Sequence, residues 1–197
     1  MRCMKIRMLA ILMIAAISCS TPRTGNPHVE ISTRFGDIEV ELYPKQAPVT
    51  VAAFLNYIDS GYYNQSSFYR VLKEEDQPDY AFKSQIIQGG IWKLNPSLLK
   101  KIPGIPHETT AQTKLSHTDG TISLAREAPG TANTEFFICV GDQLGYDFSG
   151  DNNPDGQGYA AFGRVVKGRD VVMRMYAAPQ RDGQFTPHIV INSIRRL

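Results

Sequence analysis

Residues 36–42 read Gly-Asp-Ile-Glu-Val-Glu-Leu, and this short stretch decides the fold class. Ile38, Val40 and Leu42 alternate with acidic residues, which is the period-two pattern of a strand that buries one face. Residues 29–33 form a second strand-like segment just before it, across a tight turn. The two segments predict an antiparallel hairpin at the start of the folded domain.

Similar short segments recur through the rest of the chain, separated by turns rich in glycine and proline. Two helices are predicted far apart in sequence, one capped by Thr50 and ending near Gly61, the other spanning residues 170–176 with Asp170 as its cap. This distribution favours a closed antiparallel sheet over a parallel one, with the helices covering its ends. The further strands are predicted at residues 67–72, 85–88, 121–125, 135–140, 159–165 and 189–194.

The first 18 residues have the order of a secretory signal peptide, with basic residues, then an apolar segment over residues 8–17, then small residues. A permanent transmembrane anchor is the weaker interpretation, because a helix needs about 20 apolar residues to span a bilayer. The charged residues are Arg2, Lys5 and Arg7.

The sequence Ala16-Ile17-Ser18-Cys19 resembles a bacterial lipobox, in which cleavage before the cysteine leaves an N-terminal residue that carries lipid. The alternative is an ordinary signal peptide that happens to contain a cysteine. We expect lipidation at Cys19, a lipidated N-terminus and tether over residues 19–28, and one domain over residues 29–197. The protein would then be a membrane-anchored lipoprotein of the bacterial cell envelope, facing the periplasm or the cell exterior.

Cysteine and charge counts restrict the partners. Cys3 leaves with the signal peptide and Cys19 would be acylated, so Cys139 alone remains and no disulfide is expected within the mature chain. Loss of the signal peptide leaves 18 basic and 19 acidic side chains, a balance that gives no sign of nucleic-acid binding. Cys139 lies in an apolar strand without a neighbouring base, which favours a core position over a nucleophile. We expect a monomer.

Two patterns imitate metal sites. Asp151-x-Asn153-x-Asp155-Gly156 matches the start of a calcium-binding loop, but Phe162 stands where the bidentate glutamate belongs, so a polar turn is the preferred interpretation. The histidines lack ligand spacing, which favours surface or loop roles, and we expect neither a metal nor another cofactor. The four histidines are His28, His107, His117 and His188.

Five motifs spread over the domain resemble those of the cyclophilin family and occur in the same order. Each is weak alone, but together they cover nearly the whole mature chain. The motifs are Phe68-Tyr69-Arg70-Val71, residues 86–90 (Ile-Ile-Gln-Gly-Gly), residues 120–126 (Gly-Thr-Ile-Ser-Leu-Ala-Arg), Phe136-Phe137-Ile138 and residues 161–165 (Ala-Phe-Gly-Arg-Val).

The resemblance implies an eight-stranded antiparallel barrel closed by two helices, with a substrate groove on its outer face. It implies a cofactor-free peptidyl-prolyl cis/trans isomerase that accelerates rotation about Xaa-Pro bonds, here in exported proteins whose folding it would assist. Two alternatives remain: a cyclophilin-fold module that binds proline peptides with little or no turnover, and an envelope scaffold. Its expected partners are proline-containing polypeptides, and the membrane through the N-terminal lipid.

The resemblance also assigns the site residues. Arg70 matches the catalytic arginine, Gln88 the glutamine that orients it, and Phe137 the aromatic floor of the proline pocket. The structural alternatives are a surface ion pair for Arg70 and a core position for Phe137. The other expected substrate contacts are Ile86, Ala125, Arg126, Glu135, Tyr146 and Tyr159.

Four positions depart from the family pattern. Gln85 replaces an aromatic residue, Tyr69 replaces a histidine, Glu135 replaces a glutamine that contacts substrate, and Gly145 stands near the position of a pocket aromatic. Tyr146 and Phe148 are the two candidates for the missing ring. A carboxylate about 4 Å from a guanidinium attracts it by roughly 4 kcal/mol at an effective dielectric near 20. We therefore expect Glu135 either to position the catalytic arginine or to compete with the substrate for it.

Two insertions distinguish the chain from compact members of the family. Residues 73–83 lie between the Arg70 and Gln88 strands, and residues 148–158 precede the strand that contains Phe162. Both are interpretable as solvated loops. The functional alternative is that the first insertion overhangs the groove and selects partners, because it joins two strands that bear active-site residues.

Overall fold

The computed structural model describes residues 25–197, so the signal peptide predicted over residues 1–18 and the lipidation predicted at Cys19 fall outside the described residues. The described chain folds into nine strands and four helices, two of which are single turns. The strands are β1 (His28–Thr33), β2 (Gly36–Leu42), β3 (Ser66–Leu72), β4 (Ile86–Gly90), β5 (Thr121–Leu124), β6 (Phe136–Cys139), β7 (Ala160–Lys167), β8 (Gln180–Arg181) and β9 (Gln184–Arg196). The helices are α1 (Pro48–Asp59), α2 (Pro96–Leu99), α3 (Thr110–Thr113) and α4 (Arg169–Tyr176).

Eight of the strands close into one antiparallel barrel, as the sequence predicted. They follow the order β1-β2-β7-β5-β6-β4-β3-β9, and pairing of β1 with β9 joins the two ends. Ile31 faces Ile194 across this closing pair. The two-residue strand β8 pairs only with β9, so it forms a hairpin outside the closed ring.

Alternation along the strands fills the barrel with apolar side chains. Phe136 and Ile138 of β6 belong to the interior cluster, whereas Phe137 and Cys139, between and after them, belong to a separate outer cluster. Within the interior, the ring of Phe54 on α1 lies 4.9 Å from that of Phe162 on β7. The helix therefore covers one end of the barrel by packing into the same core.

The start of α1 differs from the prediction. The helix begins at Pro48 after Ala47, and Thr50 is a helical residue and not its cap. The carboxylate of Glu108, from a distant loop, accepts hydrogen bonds from the backbone N–H groups of Val49 (3.1 Å) and Thr50 (2.8 Å) and from the Thr50 hydroxyl (2.7 Å). A side chain remote in sequence therefore satisfies donors that a local cap would satisfy.

Asp170 is likewise not the cap of α4. The residue before the helix is Gly168, whose φ of +79° is readily available to glycine. Asp170 lies in the first turn and pairs with Arg174 at 2.5 Å, one turn later. Its charge still suits the helix N-terminus, although the cap position belongs to another residue.

Within residues 25–197, no helix has the length and apolar character needed to cross a membrane.

Replacement of Glu108 by alanine is expected to lower the free energy of unfolding by about 1–2 kcal/mol, the usual cost of losing an N-terminal cap. Denaturant titration followed by circular dichroism measures the change. Glu75→Ala is the matched control, since Glu75 is exposed in a short turn and its side chain makes no hydrogen bond within the described chain. Equal stability of the two variants would contradict the capping role.

Candidate active site

A β-bulge in β3 positions the residues at the centre of the site. Phe68 pairs with Gly89 and Arg70 with Gln88, so Tyr69 is the extra residue between two consecutive pairs. The side chains of Tyr69 and Arg70 consequently both reach the amide of Gln88. Arg70 donates from Nη1 to Oε1 of Gln88 at 3.1 Å, and no ion pair of the described residues includes Arg70.

A cavity of about 450 Å³ opens beside Arg70 on the outer face of the barrel. Every substrate-contact residue expected from the sequence lines this cavity, except Glu135. It also contains residues that the sequence did not point to individually. The expected lining residues are Arg70, Gln88, Ile86, Phe137, Ala125, Arg126, Tyr146 and Tyr159, and the additional ones are Leu72, Gln77, Phe82, Ser84 and Asn152.

Aromatic rings form the floor of this cavity. The rings of Phe137, Tyr146 and Tyr159 lie 5.1–5.5 Å from one another, in tilted or edge-to-face contacts. Tyr146 therefore supplies the ring that Gly145 cannot, whereas Phe148, the other candidate, lines a different cavity beside α3. Phe137 belongs to the outer apolar cluster and not to the barrel interior.

His117 supports the floor from below, so the prediction of a surface or loop role for this histidine was wrong. The side chain is fully buried and its ring stacks on Phe137 at 5.9 Å. Its Nδ1 lies 2.6 Å from Oδ1 of Asp147, and its Nε2 lies 2.9 Å from Oγ of Ser123. Because Ser123 is also fully buried, this Ser-His-Asp arrangement has no access to substrate and serves to hold the ring stack.

The side chain of Arg126 is held by the second insertion. Two nitrogens of its guanidinium donate to the carboxylate of Asp155 at 2.7 and 2.8 Å, and two donate to the carbonyl of Gly158. The guanidinium keeps the pKa of Asp155 at about 2. Asp155, the third acidic or amide residue of the calcium-loop pattern, is therefore paired with Arg126. Among residues 25–197, no cluster of three His, Cys, Asp or Glu side chains is placed to hold a metal ion.

One backbone donor at the edge of the cavity, the N–H of Ala125, already has a partner within the barrel. The N–H of Ala125 donates to the carbonyl of Glu135 at 2.8 Å, so it continues the barrel pairing beyond β5. Recognition of a substrate carbonyl at this position therefore cannot use that N–H group.

Glu135 does not approach Arg70, so the expected attraction between them was wrong. Its Oε2 accepts from the hydroxyl of Tyr69 at 2.6 Å, and its Oε1 accepts from the N–H groups of Ile91 (2.8 Å) and Trp92 (3.2 Å). Burial raises the pKa of Glu135, while these donors oppose the rise. The carboxylate is satisfied by the segment that follows β4, which keeps it away from the guanidinium.

A second cavity of about 590 Å³ adjoins the first. The two share the lining residues Gln88, Ala125 and Arg126. Glu135 and Trp92 line the second cavity, on the far side of Gln88 from the aromatic floor. Together the cavities form one extended groove that can hold several residues of a peptide.

The first insertion closes one side of the groove. Gln77 accepts from the N–H of Ser84 (3.1 Å) and donates to the carbonyls of Lys73 (2.8 Å) and Ser84 (2.7 Å), which ties the two ends of the loop together. Phe82 is 60% exposed and still lines the Arg70 cavity. The second insertion contributes Asn152 to the same cavity through a hydrogen bond to Ser84 (2.9 Å).

Several of these residues carried no recognisable signal in the sequence. Ser123 lies within the motif at residues 120–126, but His117 and Asp147 lie outside every motif, and no spacing pattern links the three. Phe82 and Asn152 lie in insertions, where a family pattern offers no position for comparison. Tyr69 and Glu135 were each noted in the sequence as a departure from that pattern, but nothing there indicated that the two side chains pair.

Comparison with known proteins gives a consistent result. Residues 28–196 match the family model described as cyclophilin type peptidyl-prolyl cis-trans isomerase/CLD. A peptidyl-prolyl cis-trans isomerase of Acinetobacter baylyi is 33% identical over 169 residues, which cover 85% of this chain and 81% of the relative. Peptidyl-prolyl cis-trans isomerase B of Escherichia coli is 37% identical over 145 residues, 73% of this chain and 80% of the relative.

Solved structures show the same fold. The crystal structure of a cyclophilin type peptidyl-prolyl cis-trans isomerase from Cryptosporidium parvum aligns with a TM-score of 0.68 at 23% identity, over 87% of this chain and 97% of that one. A structure of that protein in the presence of the dipeptide Ala-Pro aligns with a TM-score of 0.66 at 24% identity, over 85% of this chain and 96% of that one.

Proposed function

Because this chain belongs to the cyclophilin-type peptidyl-prolyl cis-trans isomerases and is an enzyme of that class, we propose that it catalyses Xaa-Pro rotation in exported proteins, with Arg70 as its catalytic side chain. The observation that carries the proposal is the position of Arg70, which lies at the edge of an aromatic-floored cavity and is held there by Gln88.

The reaction requires no covalent chemistry. Amide resonance raises the barrier to rotation to about 18–20 kcal/mol. In Xaa-Pro bonds the two isomers differ by only about 0.5–1 kcal/mol, so the enzyme needs to lower the barrier without favouring either isomer. It does so by binding the twisted amide more tightly than either planar form.

Arg70 suits the twisted state. As the amide loses its resonance, the proline nitrogen becomes pyramidal and its lone pair can accept a hydrogen bond. A guanidinium is permanently charged and presents its donors in a rigid plane. Gln88 accepts a hydrogen bond from one of those donors, and the others have no partner among the described residues, so they are available to a substrate in the cavity.

The aromatic floor accounts for proline recognition. Phe137, Tyr146 and Tyr159 offer an aromatic surface against which a pyrrolidine ring can pack, in the same cavity as the guanidinium. The relative crystallised in the presence of Ala-Pro shares this fold, and we expect proline-containing peptides to bind this chain at the same floor. The proline ring then stays fixed while the residue before it rotates along the groove.

Replacement of Arg70 by alanine is expected to lower kcat/KM for an Ala-Pro or Gly-Pro test peptide by about 100-fold or more, the usual effect of removing a donor that stabilises a transition state. A coupled or NMR exchange assay of the soluble domain measures the rate, and circular dichroism checks the fold. Arg34→Ala is the control, since Arg34 is exposed, lies over the ring of Phe35 and forms no ion pair among the described residues. Equal rates for wild type and Arg70→Ala would favour a proline-peptide binding module instead.

The first insertion is proposed to select substrates. Phe82 and Gln77 form part of the cavity wall, so a peptide that extends beyond its proline meets them. The loop is braced internally by Gln77 and externally by Gln180, which donates to Asp76 at 2.8 Å. Because these hydrogen bonds already hold the loop in one conformation, it loses little conformational entropy when a peptide binds. Such a loop discriminates among the residues that flank the proline better than a flexible loop can.

Phe82→Ala is expected to change kcat/KM about 3- to 10-fold for peptides that extend beyond the proline, the effect of one lost apolar contact, and to leave a minimal Ala-Pro peptide unaffected. A set of peptides with varied flanking residues measures the change. Tyr80→Ala is the matched control, because Tyr80 is 93% exposed in the same loop and does not line the cavity. If both variants act on every peptide as wild type does, the loop has no role in selection.

We further propose that the enzyme is anchored to the envelope through Cys19. The motif and the polar tether that follows it support this location, which gives the groove access to polypeptides that emerge from the membrane unfolded.

Cys19→Ser is expected to abolish incorporation of labelled palmitate and to move the protein from the membrane fraction to the soluble fraction of a bacterial host. Cys3→Ser is the control, since the expected cleavage removes Cys3 in either case. Membrane retention of Cys19→Ser would count against the lipid anchor.

A further inference from the structure

A chain of three hydrogen bonds leads from Arg70 into the protein. Arg70 donates to Gln88 Oε1 at 3.1 Å, Gln88 Nε2 donates to the hydroxyl of Tyr69 at 2.9 Å, and that hydroxyl donates to Glu135 Oε2 at 2.6 Å. Each hydrogen bond runs in the same direction, from guanidinium to carboxylate. We propose that Tyr69 and Glu135 are positioning residues that orient the Gln88 amide, and through it the Arg70 guanidinium; this rests on the catalytic role proposed for Arg70.

The direction of the chain follows from the chemistry of its two ends. A guanidinium can only donate hydrogen bonds, and an ionised carboxylate can only accept them. The Tyr69 hydroxyl must therefore give its proton to Glu135, which leaves its oxygen to accept from Gln88. The amide of Gln88 is then forced to turn its oxygen toward Arg70, since its NH₂ group is already committed.

The structure holds the carboxylate end of the chain firmly. Glu135 Oε1 accepts from the backbone N–H groups of Ile91 and Trp92 and lies 3.3 Å from the Thr134 hydroxyl. Gly90 makes room for it, because a Cβ atom at that position would stand 2.3 Å from Oε1. Two fixed backbone donors thus set which oxygen of Glu135 faces Tyr69.

Tyr69 is held equally well. It is 3% exposed, lies in the bulge of β3, and its ring meets that of Trp92 edge-on at 5.2 Å. Its burial raises the pKa of the hydroxyl well above its usual value, so Tyr69 keeps its proton and remains a donor to Glu135. Positions 69 and 135 both depart from the family pattern, and the hydrogen bond between Tyr69 and Glu135 accounts for both departures together.

Reversal of this direction is the sharpest test. In Glu135→Gln, the N–H groups of Ile91 and Trp92 retain the side-chain oxygen, so the new NH₂ group must face Tyr69. The Tyr69 hydroxyl then accepts from residue 135 and donates to Gln88, and the amide of Gln88 turns its NH₂ group toward Arg70. Two donors then oppose each other, although the shape of the side chain at residue 135 is unchanged.

Tyr69→Phe removes the hydroxyl and interrupts the chain. Both single variants are expected to slow cis/trans exchange of a bound Ala-Pro peptide about 3- to 10-fold, the equivalent of one hydrogen bond, with peptide Kd within twofold of wild type. The double variant is expected to be no slower than the slower single variant, because Glu135 acts only through the hydroxyl. NMR exchange spectroscopy at saturating peptide measures the rates.

A second readout separates positioning from a merely structural role. The ¹⁵N order parameter of the Arg70 Nε–H group is expected to fall in Tyr69→Phe and Glu135→Gln and to stay at the wild-type value in Tyr57→Phe. Tyr57 is the control because it is buried on α1 and its hydroxyl has no hydrogen bond among the described residues. Thermal unfolding of each variant confirms that the fold is retained.

Two results would overturn the inference. One is wild-type exchange and an unchanged Arg70 order parameter in Tyr69→Phe. The other is a weaker peptide Kd with normal bound-state exchange in Glu135→Gln, which would make Glu135 a substrate contact. Failure of the catalytic proposal looks different: Arg70→Ala would then exchange peptide at the wild-type rate, whatever the order parameters of the other variants.

Discussion

In a closed barrel each strand residue faces either the packed interior or the outside, and the bulge at Tyr69 is where β3 departs from that alternation. Without the extra residue, Tyr69 and Arg70 would point to opposite faces. With it, both side chains reach Gln88 on the neighbouring strand. The orientation of the guanidinium, and the link from it to Glu135, both depend on this single irregularity.

The rigidity of the groove comes from a second apolar cluster outside the barrel. Phe137 and Cys139 alternate with the interior residues of β6 and face outward, and His117 packs beneath Phe137 with both ring nitrogens hydrogen-bonded. Burial raises the pKa of the Cys139 thiol, which keeps it protonated and inert, so this residue only fills space. The floor therefore rests on a satisfied polar network, and the catalytic face does not compete with the barrel core for its side chains.

The sequence predicted the barrel and the central residues of the outer groove for different reasons. Strand periodicity and the scarcity of helices indicated a closed antiparallel sheet, because alternation is a local property of the chain. Arg70, Gln88 and Phe137 were located through motifs whose spacing the family preserves. The caps of both long helices were misassigned, since Glu108 acts on α1 from a distant loop and Gly168 precedes α4 with a left-handed backbone. Caps of this kind depend on neighbours that local sequence does not identify.

The sequence by itself determined the alternation of the strands, the order of the motifs, and therefore the barrel and its enzyme class. Only the tertiary structure decided where polar side chains point, because a carboxylate or an imidazole pairs with whichever partner the fold brings within about 3 Å. Glu135 was expected near Arg70 and instead pairs with Tyr69, and His117 was expected near the surface and instead lies under Phe137. The apolar pattern of a strand depends on residues that are adjacent in sequence. The hydrogen-bond partners of these polar side chains come from segments that meet only after the barrel has closed.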